Sequence, residues 1–230
     1  MRIDVFTLFP EWFDWMRQPR HLENAGRDAG LEIRCFSYRD YTPLRAGQVD
    51  DAPFGGGPGM VLRVDVVAAA LERVYGVDAT EVRRGRRVAV LTPRGRMFSD
   101  PVAEELAALD DLVLLCGRYE GFDHRVHDHL ANDEICLGPF VLAGGETAAM
   151  AVVDAVTRKI PGALGNQESL HAESFSTGLG GRVEYPHYTR PAEFRGWEVP
   201  EVLRSGNHAA IDAWRDAHTR LAGRPEPSEN

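Results

Sequence analysis

Three apolar runs in this chain end in glycine-bearing turns: LTPRG at 91–95, LCGRYEG at 115–121 and CLGPFVLAGGE at 136–146. Glycine has no Cβ, so its amide and carbonyl can come close to a ligand. Side by side, three such turns make a pocket whose hydrogen bonds come from the main chain. That suits an adenine and a ribose. A phosphate fits less well, because no turn carries the GK[ST] of a phosphate loop or the G-x-G-x-x-G of a dinucleotide fold. GGGPGM at 55–60 also lacks the following lysine. On spacing alone, tight-turn geometry explains these glycines as well as a ligand does.

The elements that must hold the turns alternate between strand and helix. RIDVFTLF (2–9) reads as a strand stopped by Pro10, with a helix beginning at EWFDWMRQ. LEIRCFSY (31–38) is a second strand, followed by a loop of about twenty residues (42–61), a length usually reserved for functional or disordered segments. An amphipathic helix over 64–76 is closed by Gly76. Strand 86–95 precedes a helix over 99–109, with Ser99 as N-cap and Pro101 in its first turn. Strands at 111–117 and 133–145 enter the second and third turns, and a helix runs over 146–162. This alternation implies a mostly parallel α/β sheet, in which ligands sit at the carboxyl ends of strands. A polar, glycine-rich stretch from about 163 to 185 reads as a linker or a loop that orders on binding. Residues 199–223 read as helical, with Ser205 or Asn207 capping the second segment, and the tail RPEPSEN reads as frayed.

Composition narrows the class. A chain of 230 residues with 43% hydrophobic and 27% charged content suits a soluble protein of one large or two smaller domains. No apolar run approaches the roughly 18 residues of a membrane span. MRIDVFTLFPEWF reads as a first strand rather than a signal peptide. Cys35, Cys116 and Cys136 are far apart and form no zinc or redox pattern, which points to a reducing, cytosolic compartment. Cys116 and Cys136 end apolar runs, where buried inert thiols are common. A net charge of −9 argues against a protein wrapped in nucleic acid but leaves room for local basic patches. DHRVHDHL (123–130) gathers His124, His127 and His129 near Asp123 and Asp128. It lacks the H-E-x-x-H pattern, so it reads as a solvated helix face, and no metal ligand is assigned. Trp214, at helical spacing from Ile211, reads as core.

Seven stretches together carry a resemblance: VDDAPFGGGPGM (49–60), LTPRGR (91–96), LCGRYEGFDHRV (115–126), LGPFVLAGGE (137–146), DAVTRKIPGALG (154–165), PHYTRP (186–191) and VPEVLRSGNHAAIDAWR (199–215). In this order they resemble the bacterial tRNA (guanine-N1)-methyltransferases of the TrmD family, in the SPOUT superfamily, over nearly the whole chain. The resemblance implies a SPOUT-type α/β domain with a mostly parallel sheet and a deep trefoil knot over 1–164. A flexible linker over 165–182 and a small helical tRNA-binding domain over 183–230 would follow. Such a knot is an exception to the rule that chains avoid threading.

The resemblance also implies a cofactor, S-adenosylmethionine, held in a bent form by the knot turns. Carried onto this chain, its contacts are Leu91, Thr92 and Pro93 in the first turn, and Gly117, Tyr119, Glu120 and Gly121 in the second. The third turn contributes Leu137, Gly138, Pro139, Phe140, Val141, Leu142, Gly144 and Gly145. The implied reaction methylates N1 of the guanosine 3′-adjacent to the anticodon. N1 of guanine is protonated at neutral pH, so a base must take its proton and a cation must hold charge developing on O6. The family's base is a linker aspartate, matched here by Glu173, and its assisting arginine is Arg158. Asp50 and Asp51 border the site. Tyr188, Arg190, Asn207, His208 and Arg215 are the matched candidates for contacts to the tRNA anticodon stem-loop. A homodimer with the active site at the subunit interface, a cytoplasmic location and a magnesium (Mg2+) dependence without assigned ligands complete the implication.

The chain departs from the family in places. Glu173-Ser174-Phe175 stands for a frequent D-S-F, so the carboxylate is kept on an arm one methylene longer. Cys136 and Gly138-Pro139-Phe140 replace a serine and a glycine–aspartate–tyrosine, so backbone contacts can persist but the aspartate side chain's cannot. The last arginine-rich match is reduced to Gly223-Arg224-Pro225. Two other readings stand beside the main one: a catalytically inactive module binding S-adenosylmethionine or RNA, and a SPOUT methyltransferase acting on another RNA.

Overall fold

The computed structural model describes residues 1–165 and 173–221. The expected frayed tail, the Gly223-Arg224-Pro225 match and residues 166–172 of the expected linker lie outside the described residues. The chain divides into two compact units, Met1–Gly165 and Asn166–Asn230.

In the first unit, β1 (Arg2–Thr7) leads through a 3-10 helix (Pro10–Arg17) and α1 (Arg20–Ala29) to β2 (Glu32–Ser37). The short α2 (Tyr38–Tyr41) opens the long loop, which is pinned by an antiparallel pair, β3 (Asp50–Asp51) and β4 (Val61–Leu62). Then come α3 (Val64–Tyr75), α4 (Ala79–Gly85), β5 (Arg87–Met97), α5 (Asp100–Ala107) and β6 (Asp111–Cys116). A π-helical turn (Val126–Leu130), β7 (Asp133–Cys136) and α6 (Glu146–Lys159) complete the unit. The five long strands form one sheet in the order β2-β1-β6-β5-β7, with every neighbour parallel.

Strand side chains alternate between the two faces, and the sheet is buried on both. Ile3, Val5, Ala89, Leu91, Leu112 and Leu114 pack against α1, α5 and α6 through residues such as Leu22, Leu106, Val152 and Val156. Phe6, Val88, Val90, Val113 and Leu115 pack against α3 and α4 through Val67, Leu71 and Val82. The one carboxylate inside β1, Asp4, is 2% exposed. It accepts two bonds from Arg34, at 2.7 and 2.8 Å, and one from the Tyr75 hydroxyl at 2.6 Å. Burial, with the Asp4 bond second, pushes the Tyr75 phenol well above its ordinary range.

Several boundaries differ from the sequence reading. The first helical segment is 3-10, and α1 and α4 were not anticipated. RHLENAGRDA buries only Leu22 and Ala25, too few positions for a clear periodic signal. Gly76 closes α3 in the left-handed region, as its position predicts. Ser99 stands at the N-cap of α5, but its side chain makes no capping bond; only its carbonyl accepts, from the Ala103 amide at 2.9 Å. The strand expected over 133–145 stops at Cys136.

β5 carries the feature that matters for the site. Its register against β7 shifts between Leu91 and Arg96, so Thr92–Gly95 bulge out and pairing resumes at Arg96 and Met97. Arg96 anchors the far side, donating to both Glu105 oxygens and to Asp133. Gly95 lies so close to β7 that a Cβ there would sit 2.4 Å from the Glu134 carbonyl carbon.

The second unit carries a two-stranded hairpin, β8 (Glu193–Phe194) and β9 (Trp197–Glu198), then α7 (Glu201–Arg204) and α8 (His208–His218). Asn207 caps α8, its side chain accepting from the Ala210 amide at 3.2 Å. Trp214 is half-buried rather than core, packed with Tyr185, Tyr188 and a stacked His218 ring at 3.9 Å.

Gly95→Ala is expected to push β5 off β7, because the new methyl meets backbone rather than a side chain that could turn away. The cost is about 2–3 kcal/mol, read as a melting temperature roughly 4–10 °C lower. An unchanged melting curve by circular dichroism would show that β7 yields freely, against this account of the bulge.

Candidate active site

The three glycine turns meet at the carboxyl edge of β5, β6 and β7 and enclose a cavity of about 360 Å³. The first turn is the Thr92–Gly95 bulge, tightened by a bond from the Arg94 amide to Thr92 Oγ1 at 3.3 Å. The second, Gly117–Gly121, closes with the Gly121 amide on the Arg118 carbonyl at 2.9 Å. Tyr119 adopts a left-handed φ of 58°, and Gly121 follows at 101°. The long loop braces this turn. Glu120 N donates to Met60 O, Leu62 N to Gly121 O, and Asp123 N to Leu62 O, at 3.0, 2.9 and 2.9 Å.

The third turn folds back on the second. Gly145 N donates to Gly117 O at 2.8 Å, and Arg118 and Gly144 form an isolated antiparallel bridge. Gly145 has no room for a side chain, since a Cβ would lie 2.8 Å from Cys116 Cα. A Cβ on Gly138 would strike the Phe140 ring at 2.4 Å. Cys116 is fully buried, and burial, with nearby Glu146 second, pushes its thiol well above the ordinary range. Cys136 is also buried, its thiol bonded to Gly138 O at 3.3 Å.

Of the residues matched to cofactor contacts, all but Pro139 line this cavity. Asp50 and Asp51 do not line it; they sit in β3, whose partner β4 braces the second turn. Asp51 pairs with Arg63 at 3.0 Å. Arg158 is half-buried near the end of α6. It stands twelve residues beyond Glu146, about 18 Å along the helix at 1.5 Å per residue. One chain therefore does not bring Arg158 to its own cavity. Glu173 and the matched tRNA contacts belong to the second unit. There Tyr188 is exposed beside Trp214, Arg190 and His208 are exposed, and the Arg215 guanidinium lies 5.1 Å from the Tyr185 ring.

Two features escaped the sequence reading. The first is Glu146, the residue after the glycine pair, which is fully buried in the first turn of α6. It accepts from Thr7 Oγ1 at 2.8 Å and Arg118 Nε at 2.9 Å. Arg118 also packs over Phe9 and Trp12, at 4.5 and 4.8 Å from the ring centres. The signal was there: GRYEG and GGE place opposite charges at the feet of two turns. The second is His127, which corrects the reading of DHRVHDHL as a solvated face. His124 is exposed, but the π-helical turn tucks His127 inward, 8% exposed, with Nδ1 3.0 Å from Glu134 Oε1. Among the described residues, no group of three or more His, Cys, Asp or Glu is placed to hold a metal ion.

Arg118→Ala strands a buried carboxylate and is expected to cost about 3–5 kcal/mol, lowering the melting temperature by roughly 10 °C. Adding Glu146→Gln to that variant removes the stranded charge and should recover part of the loss. A double-mutant cycle showing strict additivity would contradict the coupling.

The chain is similar to several known proteins. The chain is 49% identical over 215 residues to a tRNA (guanine-N(1)-)-methyltransferase of Brevibacillus brevis, covering 94% of this chain and 85% of the relative. It is 48% identical over 215 residues to the like-named protein of Dehalococcoides mccartyi, covering 94% and 84%. With that of Bacillus cereus it shares 47% over 216 residues, covering 94% and 85%. The profile of the family described as tRNA (Guanine-1)-methyltransferase TrmD matches residues 1–226, and this chain belongs to that family.

Proposed function

We propose that this chain transfers the methyl group of S-adenosylmethionine to N1 of the guanosine 3′-adjacent to the anticodon in tRNA. The observation that carries the reading is the cavity: three glycine turns at the carboxyl ends of three parallel strands, in a chain of this family. Its volume of about 360 Å³ lies in the small-molecule range. The cradle fits a nucleoside cofactor, because five glycines, Gly117, Gly121, Gly138, Gly144 and Gly145, line it and let main-chain groups approach a ligand closely. When bound, the cofactor supplies an electrophilic methyl group on a sulfonium.

The chain's own residues supply the rest. Glu173 accepts the N1 proton, and Arg158 holds the charge that builds on O6. Asp50 and Asp51 offer acceptors for the guanine edge beside the second turn. Tyr188, Arg190, His208 and Arg215 grip the RNA. Asn207 contributes through Nδ2, because its Oδ1 is occupied in capping α8. The distance along α6 between Arg158 and the cavity supports a homodimer in which one subunit's Arg158 and Glu173 serve the other's cavity. The clamped second and third turns support a deep trefoil knot. A dependence on magnesium belongs to this reading with no ligand named. A cytoplasmic location belongs to this reading through its tRNA substrate; no helix among the described residues is long and apolar enough to cross a membrane.

Labelled S-adenosylmethionine and unmodified tRNA transcripts test the assignment. Transfer is expected to a transcript with guanosine 3′ of the anticodon and not to one with adenosine. In single-turnover assays Glu173→Gln should slow transfer about 10²–10⁴-fold, while Glu173→Asp keeps it. Cofactor binding without any transfer would leave only a binding module. Undiminished transfer by Glu173→Gln would remove that residue from the mechanism.

A further inference from the structure

His127 takes part in no step above, yet it is built into the cavity wall. Its Nδ1 faces Glu134 at 3.0 Å. A carboxylate beside one ring nitrogen fixes the proton there, and in the neutral ring leaves the other nitrogen as an acceptor. That nitrogen, Nε2, makes no hydrogen bond to the described residues and is not sealed from solvent. The ring cannot wander. It stacks on His124 at 5.3 Å and stands edge-on to Phe122 at 6.5 Å. Glu134 is equally fixed, lying in β7 where the backbone abuts Gly95. A rigid acceptor in a wall otherwise rich in main chain and hydrocarbon selects its ligand. A ligand without a matching donor would leave Nε2 desolvated and unpaired.

From this we infer that His127 Nε2 accepts a hydrogen bond from the nucleoside part of the bound cofactor, with Glu134 as the positioning residue that holds the acceptor tautomer. The inference rests on the reading of the cavity as the S-adenosylmethionine site. The nucleoside offers two kinds of donor, the ribose hydroxyls and the 6-amino group of adenine.

Calorimetric titration of the full chain with S-adenosylhomocysteine and two analogues, one lacking the 6-amino group and one lacking the ribose hydroxyls, separates the cases. His127→Phe is expected to weaken S-adenosylhomocysteine about fivefold to tenfold, the size of one hydrogen bond. His127→Gln, whose amide oxygen can replace Nε2, restores most of the affinity. Glu134→Gln lowers it, because an amide can donate to Nδ1 and move the ring proton to Nε2. Melting curves without ligand show that the variants remain folded. The analogue missing the bonded donor binds wild type and His127→Phe alike, while the other keeps the full loss, and this identifies the donor. Equal losses on all three ligands overturn the inference, since His127 then only shapes the wall. Unchanged S-adenosylhomocysteine affinity in His127→Phe overturns it too, with the cofactor reading intact. Failure of the wild type to bind S-adenosylhomocysteine removes that reading and the inference with it.

Discussion

A single buried carboxylate, Glu146, holds the carboxyl edge of the sheet together. Removing such an ion from water costs several kcal/mol unless partners replace its hydration. Here the partners are the Thr7 hydroxyl, the Arg118 guanidinium and the amide end of α6, whose dipole favours a negative group. They come from β1, the second turn and the start of α6, so the charge is satisfied only when all three are docked. Arg118 extends the constraint, since it also packs over Phe9 and Trp12 and reaches the Ala143 carbonyl. The two glycine turns that wall the cavity are therefore tied to the core by charge as well as by chain connectivity.

A cavity lined by backbone has a particular weakness: glycine supplies close approach but little packing of its own. The structure compensates from outside. The long loop over 42–61, read from sequence as a functional or disordered length bordering the site, lays Met60 along the second turn, and Leu62 of β4 follows it there, so that the turn's amides and carbonyls are satisfied. The bulge in β5 is held by Arg96 between Glu105 and Asp133, with Arg87 bonded to the same two acids. Tyr119 sits in a left-handed conformation that costs a non-glycine residue about 1–2 kcal/mol. Its neighbours, bonded on both sides, hold it there.

What could be read in the sequence follows from how local each signal is. The strands were legible because apolar runs such as DLVLLC are buried on both faces, and a run of that kind marks itself. Gly76 was legible as a helix end because a left-handed cap is a property of one residue. The sheet order was not, because β6 lies between β1 and β5 through contacts distant in sequence. The Arg118–Glu146 pair was missed for the same reason: its partners are 28 residues apart. His127 was misjudged because a helical wheel assumes α spacing, and the π-helical turn rotates the ring inward. The roles given to Glu173 and Arg158 came from resemblance alone, since an exposed-looking acid and a helical arginine carry no chemical signature by themselves.

The separation of Arg158 from the cavity has a consequence for how such a chain would control its chemistry. The cavity is complete within one chain: its turns, its braces and its buried charge all lie in the first unit. Arg158, proposed to hold the developing charge, is not among its lining residues, and Glu173, proposed to take the proton, belongs to the second unit. Holding a cofactor would then require only a folded subunit, while transfer would require a second subunit and a substrate. Such a division would bring the charge-holding arginine to the reaction only in the assembled complex. It would let the wall be rigid while Arg158 is supplied from outside it. Rigid main chain is the better host for a constant nucleoside, and a carboxylate on a longer arm, as in Glu173, suits a partner that arrives separately.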